Sequence, residues 1–208
     1  MRSKQLSFPS WGGKRAGAGR KRKSPVPLVS HKKRPAHVGR FPLHLVLRVR
    51  KDVPRLRAKA VFAEIHAALE ASATVDGFRV VHFSVQGNHA HFVVEAPDEV
   101  ALGRAMKGLE VRMARALNKV MRRSGPVFAD RYHALPLRSP RQVRNAVRYV
   151  LENHAIHAQR EGRPPSPGVD PYCSEAWRDR APPLVAEPLW WLLRANWPPL
   201  ERGEAAIV

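Results

Sequence analysis

The stretch from Phe78 to Glu95 most narrows what this chain can fold into. Two runs of strand-forming residues meet at Gly87-Asn88, a pair suited to a tight hairpin turn. In the first run Val81, Phe83 and Val85 alternate with His82, Ser84 and Gln86. In the second, Ala90, Phe92 and Val94 alternate with His89, His91 and Val93. A strand repeats every two residues, so His89 and His91 project from one face, next to the turn. Two imidazoles at that spacing can hold a divalent metal ion if a third ligand comes from elsewhere. The chain has ten histidines, and the same pair also reads as plain polar surface on a half-exposed strand.

The flanking sequence supplies the rest of a sheet. Leu45, Leu47 and Val49 alternate with His44, Val46, Arg48 and Arg50, giving a strand with an apolar and a basic face. Asp52 is placed to cap a helix with Pro54 in its first turn, and Ala58, Val61, Phe62, Ile65, Ala68 and Leu69 keep helical spacing. Asp98 opens a second helix to about Arg123, with a basic outer side almost free of acids. Residues 131–138 form a fourth strand, placed at an edge by Pro136. The order strand, helix, strand, strand, helix, strand predicts an α+β, ferredoxin-like (RRM-like) antiparallel sheet with both helices on one face. His44, His82, His89 and His91 are then expected on the other face.

A third helix starts at Ser139-Pro140-Arg141-Gln142, where Ser139 is the N-cap and Gln142 closes a capping box. Val143, Val147, Val150 and Leu151 form its apolar side, while Asn145, Tyr149 and Asn153, four apart, share another. Taken alone, Tyr149 reads more readily as an amphipathic surface tyrosine. Beyond Arg160 the chain is proline-rich, and Trp177, Trp190, Trp191 and Trp197 with several leucines predict an extension that packs back on the domain. Residues 188–194 are expected to form a short helix.

Charge sets the class of partner. Lys and Arg number 37 against 17 Asp and Glu, a formal net charge of +20, which points to a polyanion such as nucleic acid. Residues 1–40 contain no acid and run through Lys14, Arg15, Arg20, Lys21, Arg22 and Lys23 among glycines. Such an arm is expected to be disordered alone and to contribute salt-dependent affinity along a phosphate backbone. Gly17 and Gly19 do not make a phosphate-cradling loop, because no strand precedes them. The single cysteine, Cys173, fits a reducing compartment and excludes an internal disulfide framework. The absence of an apolar leader or a bilayer-length apolar run leads to the expectation of a cytoplasmic, nucleoid-associated protein with no membrane partner.

Asn88-His89-Ala90-His91 followed by Phe-Val-Val resembles the His-hydrophobic-His strand of single-tyrosine HUH transposases. Arg131-Tyr-His, and then the helix from Ser139 through Tyr149 to Asn153, resembles their tyrosine helix. The Gly-Gly-Lys-Arg-Ala-Gly-Ala-Gly-Arg arm is similar to that of the REP-associated branch. The resemblance covers roughly residues 40 to 160 and implies an arm (1–40), an HUH transposase domain (41–160) and a Pro/Trp-rich extension (161–208), with the tyrosine helix over the open sheet face. It further implies that Tyr149 is the nucleophile, that His89, His91 and Asn153 bind Mg²⁺ or Mn²⁺, and that the product is a 5′-phosphotyrosyl strand. Relatives often follow the Asn with Pro; here His154 follows, and it competes for the third ligand position. Arg48, Arg50 and Arg148 are candidates for flanking phosphates. The implied partner is single-stranded or hairpin DNA of REP-like palindromes, and a homodimer would allow the tyrosine helix to dock on a partner's sheet. The alternative is a non-catalytic DNA- or RNA-binding regulator on the same fold; such modules present aromatics on the open face, whereas histidines are expected here.

Overall fold

A computed structural model describes residues 36–73, 75–160, 162, 164, 168–177 and 184–195. The elements are β1 (Leu43–Arg48), α1 (Lys59–Ala73), β2 (Arg79–Val85), β3 (His89–Glu95), α2 (Glu99–Val120), β4 (His133–Pro136), α3 (Pro140–Arg160), a short 3₁₀ turn (Ser174–Trp177) and α4 (Trp191–Arg194). The strands form one antiparallel sheet in the order β2-β3-β1-β4, the ferredoxin-like arrangement. Leu43, Leu45 and Leu47 of β1 and Phe92 and Val94 of β3 pack with Phe62, Ile65 and Leu69 of α1 and Leu109, Met113 and Leu117 of α2. That core closes one face of the sheet.

The other face is covered by α3. Val143, Ala146 and Val150 pack on Val81 and Val93, joined by Leu192 and Leu193 of α4. Simple alternation assigns Val81 to the face of Phe83 and Val85, and this is incorrect. A bulge lies between Val80 and His82: Val80 pairs with Val94 and His82 with Val93. The extra residue puts Val81 on the α3 side, while Val80 joins Phe83 and Val85 in the first core.

Asp52 caps no helix. Its carboxylate accepts from Arg50 and Arg123, and α1 begins seven residues later. The intervening loop is held by tertiary contacts: the Leu56 amide donates to the Gly87 carbonyl at 2.9 Å, and the Leu56 side chain is fully buried. These contacts outweigh a single cap, worth about 1 kcal/mol. The other caps follow the sequence more closely. Asp98 accepts from the Val100 and Ala101 amides, and Ser139 Oγ accepts from the Gln142 amide. The Gln142 side chain reaches back to the Arg138 amide, one residue before the N-cap.

Beyond α3 the described segments run along the outer edge of β2. The Val85 amide donates to the Tyr172 carbonyl and the Ala186 amide to the Val80 carbonyl, each at 2.8 Å, so this edge is not left unpaired. Arg57 ties down the first of these contacts. It donates to both oxygens of Asp170, at 2.9 and 2.7 Å, and to the Val85 carbonyl, and its guanidinium lies 4.2 Å from the Tyr172 ring centroid. Trp177 packs on His66 and Phe62 of α1. Glu95, buried at the other end of β3, accepts from the Leu189 and Trp190 amides. The short helix expected over 188–194 is confined to Trp191–Arg194. Asp170→Ala removes the partner of a mostly buried guanidinium; it should lower unfolding free energy by about 2 kcal/mol. It should also speed hydrogen exchange at the Val85 amide, whereas unchanged exchange would mean that the segment is held by other contacts.

Candidate active site

The histidine cluster grows from cross-strand pairing on the α3 face. Arg48 pairs with His89, Val46 with His91 and His44 with Val93. Paired residues share a face, so β1 brings His44 diagonally to His91. His44 Nε2 lies 3.0 Å from His91 Nδ1, and the two rings stack with centroids 5.2 Å apart. The His89 and His91 rings are 4.7 Å apart, and Asn88 Oδ1 sits 2.7 Å from His89 Nδ1. Each histidine of the pair thus has its Nδ1 engaged.

Helix α3 of the same chain brings Tyr149 over this cluster. Its ring centroid is 5.3 Å from that of His91 and 6.1 Å from that of His44. Two turns further along, His157 approaches His89 with ring centroids 5.8 Å apart. Asn153 lies midway between them on the same side of the helix and is fully buried. Its amide oxygen and nitrogen have no hydrogen-bond partner, and neither does the buried Nε2 of His91. Burying an amide without partners costs a few kcal/mol. Such orphaned donor atoms beside imidazoles are what a metal ion would satisfy.

The electrostatics agree with ligation rather than with a charged cluster. Burial lowers His44 to about 4, aided by nearby His133. Burial also lowers His89 to about 4, with His157 and Arg48 adding to the effect. His91 falls to about 3, by burial first and then through His89, His44, His157 and Arg48. All three are neutral near pH 7, the form in which imidazole binds metals. Among the described residues no three His, Cys, Asp or Glu side chains are grouped to hold a metal.

The other sequence candidates separate. His82 lies on the α3 side but is buried beside Ser174, with Nδ1 3.4 Å from its hydroxyl, and takes no part in the cluster. His154 is half-buried and lines a groove at the hairpin tip that also borders His89. Arg48 and Arg148 are exposed; Arg48 pairs with His89 and so shares the site's face, and Arg148 adjoins Tyr149 in sequence. Arg50 is drawn into an ion pair with Asp52 at 3.0 Å. Lys14, Arg15, Arg20, Lys21, Arg22 and Lys23 lie outside the described residues. Sequence reasoning missed the bond from His44 to His91 and the approach of His157, although the four-residue spacing Tyr149, Asn153, His157 could have flagged the latter.

The three histidines also set a pH dependence for the metal-free protein. Each has its folded pKa depressed below the ordinary 6.5, so the unfolded chain binds more protons below that pH. Their contribution to stability is complete above about pH 6.5 and is lost as pH falls toward 4. Urea midpoints measured across this window should decline for the native sequence and decline less for His44→Gln. Equal slopes for the two proteins would mean that His44 carries none of the effect.

The fold has counterparts among known proteins. The family described as transposase IS200-like matches residues 37–153. Among solved structures, a REP-associated tyrosine transposase bound to a REP hairpin shares the fold with a TM-score of 0.52 at 15% identity, covering 62% of this chain and 74% of that one. A Deinococcus radiodurans protein assigned as a transposase aligns at 18% identity over 65% of this chain and 99% of its own, with a TM-score of 0.41. No curated protein matches the sequence significantly. No described helix is long and apolar enough to cross a membrane. The family match spans more than half of the chain and includes the strand of His89 and His91 as well as Tyr149 and Asn153, so the chain belongs to the IS200-like transposase family.

Proposed function

We propose that this transposase nicks and rejoins single-stranded DNA at a hairpin by forming a 5′-phosphotyrosine link through Tyr149. The observation that carries the reading is the Tyr149 ring 5.3 Å from His91, with the unpartnered Asn153 amide one turn further along. Hairpin DNA is the favoured substrate because the transposase with the shared fold is bound to a REP hairpin. The reading places the reacting groups in one chain, so a homodimer is not needed to complete the site.

His89, His91 and Asn153 are the residues that would hold a divalent ion, Mg²⁺ or Mn²⁺. Asn153 is preferred to His154 because its amide is buried with nothing to bond, whereas His154 faces the groove. When bound, the ion supplies Lewis-acid neutralisation of the non-bridging phosphate oxygens. The Tyr149 oxygen attacks phosphorus and the bond to the 3′-oxygen breaks. The phenolic proton lost equals the proton that the 3′-oxygen gains. Because the ester keeps the phosphate's energy, attack by a 3′-hydroxyl restores DNA without ATP. Arg48 and Arg148 are positioned to steady the flanking phosphates, and the basic arm of residues 1–40 adds affinity.

His44 acts through His91. For Nε2 of His91 to offer a lone pair, Nδ1 must carry the proton and donate it to His44 Nε2 across the 3.0 Å contact. His44 thus selects the ligating tautomer. His44→Ala should weaken Mn²⁺ binding about tenfold or more, followed by the loss of free-ion spin resonance signal, and His44→Gln should restore part of it through its amide oxygen. Tyr149→Phe should keep DNA and metal binding and lose the denaturation-resistant DNA adduct. Should the adduct survive in that variant, Tyr132 or Tyr172 would have to be the nucleophile.

A further inference from the structure

A groove of about 620 Å³ opens beside His89, between the loop before α1, the hairpin turn and the last turns of α3. Arg55, Arg57, Gln86, Asn88, His154 and His157 supply its polar lining, and no carboxylate lines it. The volume is that of a site for one small molecule. It is large enough for a nucleotide.

The two arginines differ. Arg57 is committed to Asp170, to the Val85 carbonyl and to the Tyr172 ring, so its charge is already neutralised and its position fixed. Arg55 is exposed and forms no ion pair among the described residues. Its Nε stands 3.8 Å from where a Cβ on Gly87 would be, against the turn that leads directly into His89. The exposed guanidinium therefore sits at an acid-free groove that shares His89 with the histidine cluster. A cationic rim beside amide-bearing walls suits an unpaired nucleotide, whose phosphate takes the charge and whose base edge takes the amides.

We propose that this groove seats the unpaired nucleotide adjoining the phosphate attacked by Tyr149, with Arg55 holding that nucleotide's own phosphate. The inference rests on the reading of the protein as a single-strand nicking transposase. It adds a reason why cleavage would require a flexible single strand beside the hairpin: only an unstacked nucleotide can turn into the groove.

The test is a methylphosphonate scan, replacing one phosphate at a time by a neutral group in the single-stranded segment of a hairpin oligonucleotide. The full chain and its Arg55→Ala and Arg55→Lys variants are compared for binding at raised salt, with nicking in Mn²⁺ followed in parallel. At one position next to the cleaved bond, neutralisation should weaken wild-type binding about fivefold and leave Arg55→Ala unaffected. Arg55→Ala should also lower the salt slope by about one, and Arg55→Lys should keep most of the affinity. Equal losses in wild type and Arg55→Ala at every position overturn the proposal. The two readings fail separately: normal nicking without the Arg55-dependent position rejects the groove, whereas that position without nicking rejects the cleavage reaction and leaves the groove standing.

Discussion

Everything at the site depends on how α3 is seated, and the seat is small. Val143, Ala146 and Val150 rest on Val81 and Val93, with Leu137, Leu192 and Leu193 completing the cluster. Half of the seat exists only because the bulge at Val80–His82 turns Val81 away from the main core. Without it, β2 would present Val80, His82 and Ser84 to the helix and turn Val81 into the main core, so the bulge decides which valine meets α3.

The sheet and its helices were legible because they follow simple periods. The alternation around Leu45, Phe83 and Phe92 marks buried strands, and the stripe through Leu109, Met113 and Leu117 marks a helix that packs on them. The His89–His91 pair and the spacing from Tyr149 to Asn153 are equally local, and both keep their geometry in the fold. The features that could not be read arise between segments far apart in sequence. The bulge depends on how β2 registers with β3, and Asp52 is diverted by Arg123, 71 residues away. The His44–His91 bond spans 47 residues and follows from strand order, not from any motif. His82 shows the converse: its alternation predicts the face correctly, but the Ser174 segment, 92 residues later, closes over it.

The same molecule treats its buried polar groups in two ways. Asp170 and Glu95 are deeply buried acids, and each is supplied with donors: Arg57 for the first, the Leu189 and Trp190 amides for the second. Those contacts hold the later segments against the sheet and its edge. Asn153 and His91 Nε2 are buried just as deeply and left without partners. Single open atoms occur elsewhere in the fold, but among the described residues Asn153 alone has two buried side-chain polar atoms without a hydrogen bond.

The arrangement of Tyr149, Asn153 and His157 also makes α3 a ruler. Its marks are four residues apart, and the outer two, Tyr149 and His157, meet the sheet's histidine row at His91 and His89. An α-helix turns by about 100° per residue, so one residue inserted between Tyr149 and Val150 would swing Asn153 and His157 away while leaving the helix intact. Substitutions along the exposed side of α3, Arg148 apart, would matter less by comparison. In this part of the chain, changes of length are constrained far more tightly than changes of composition.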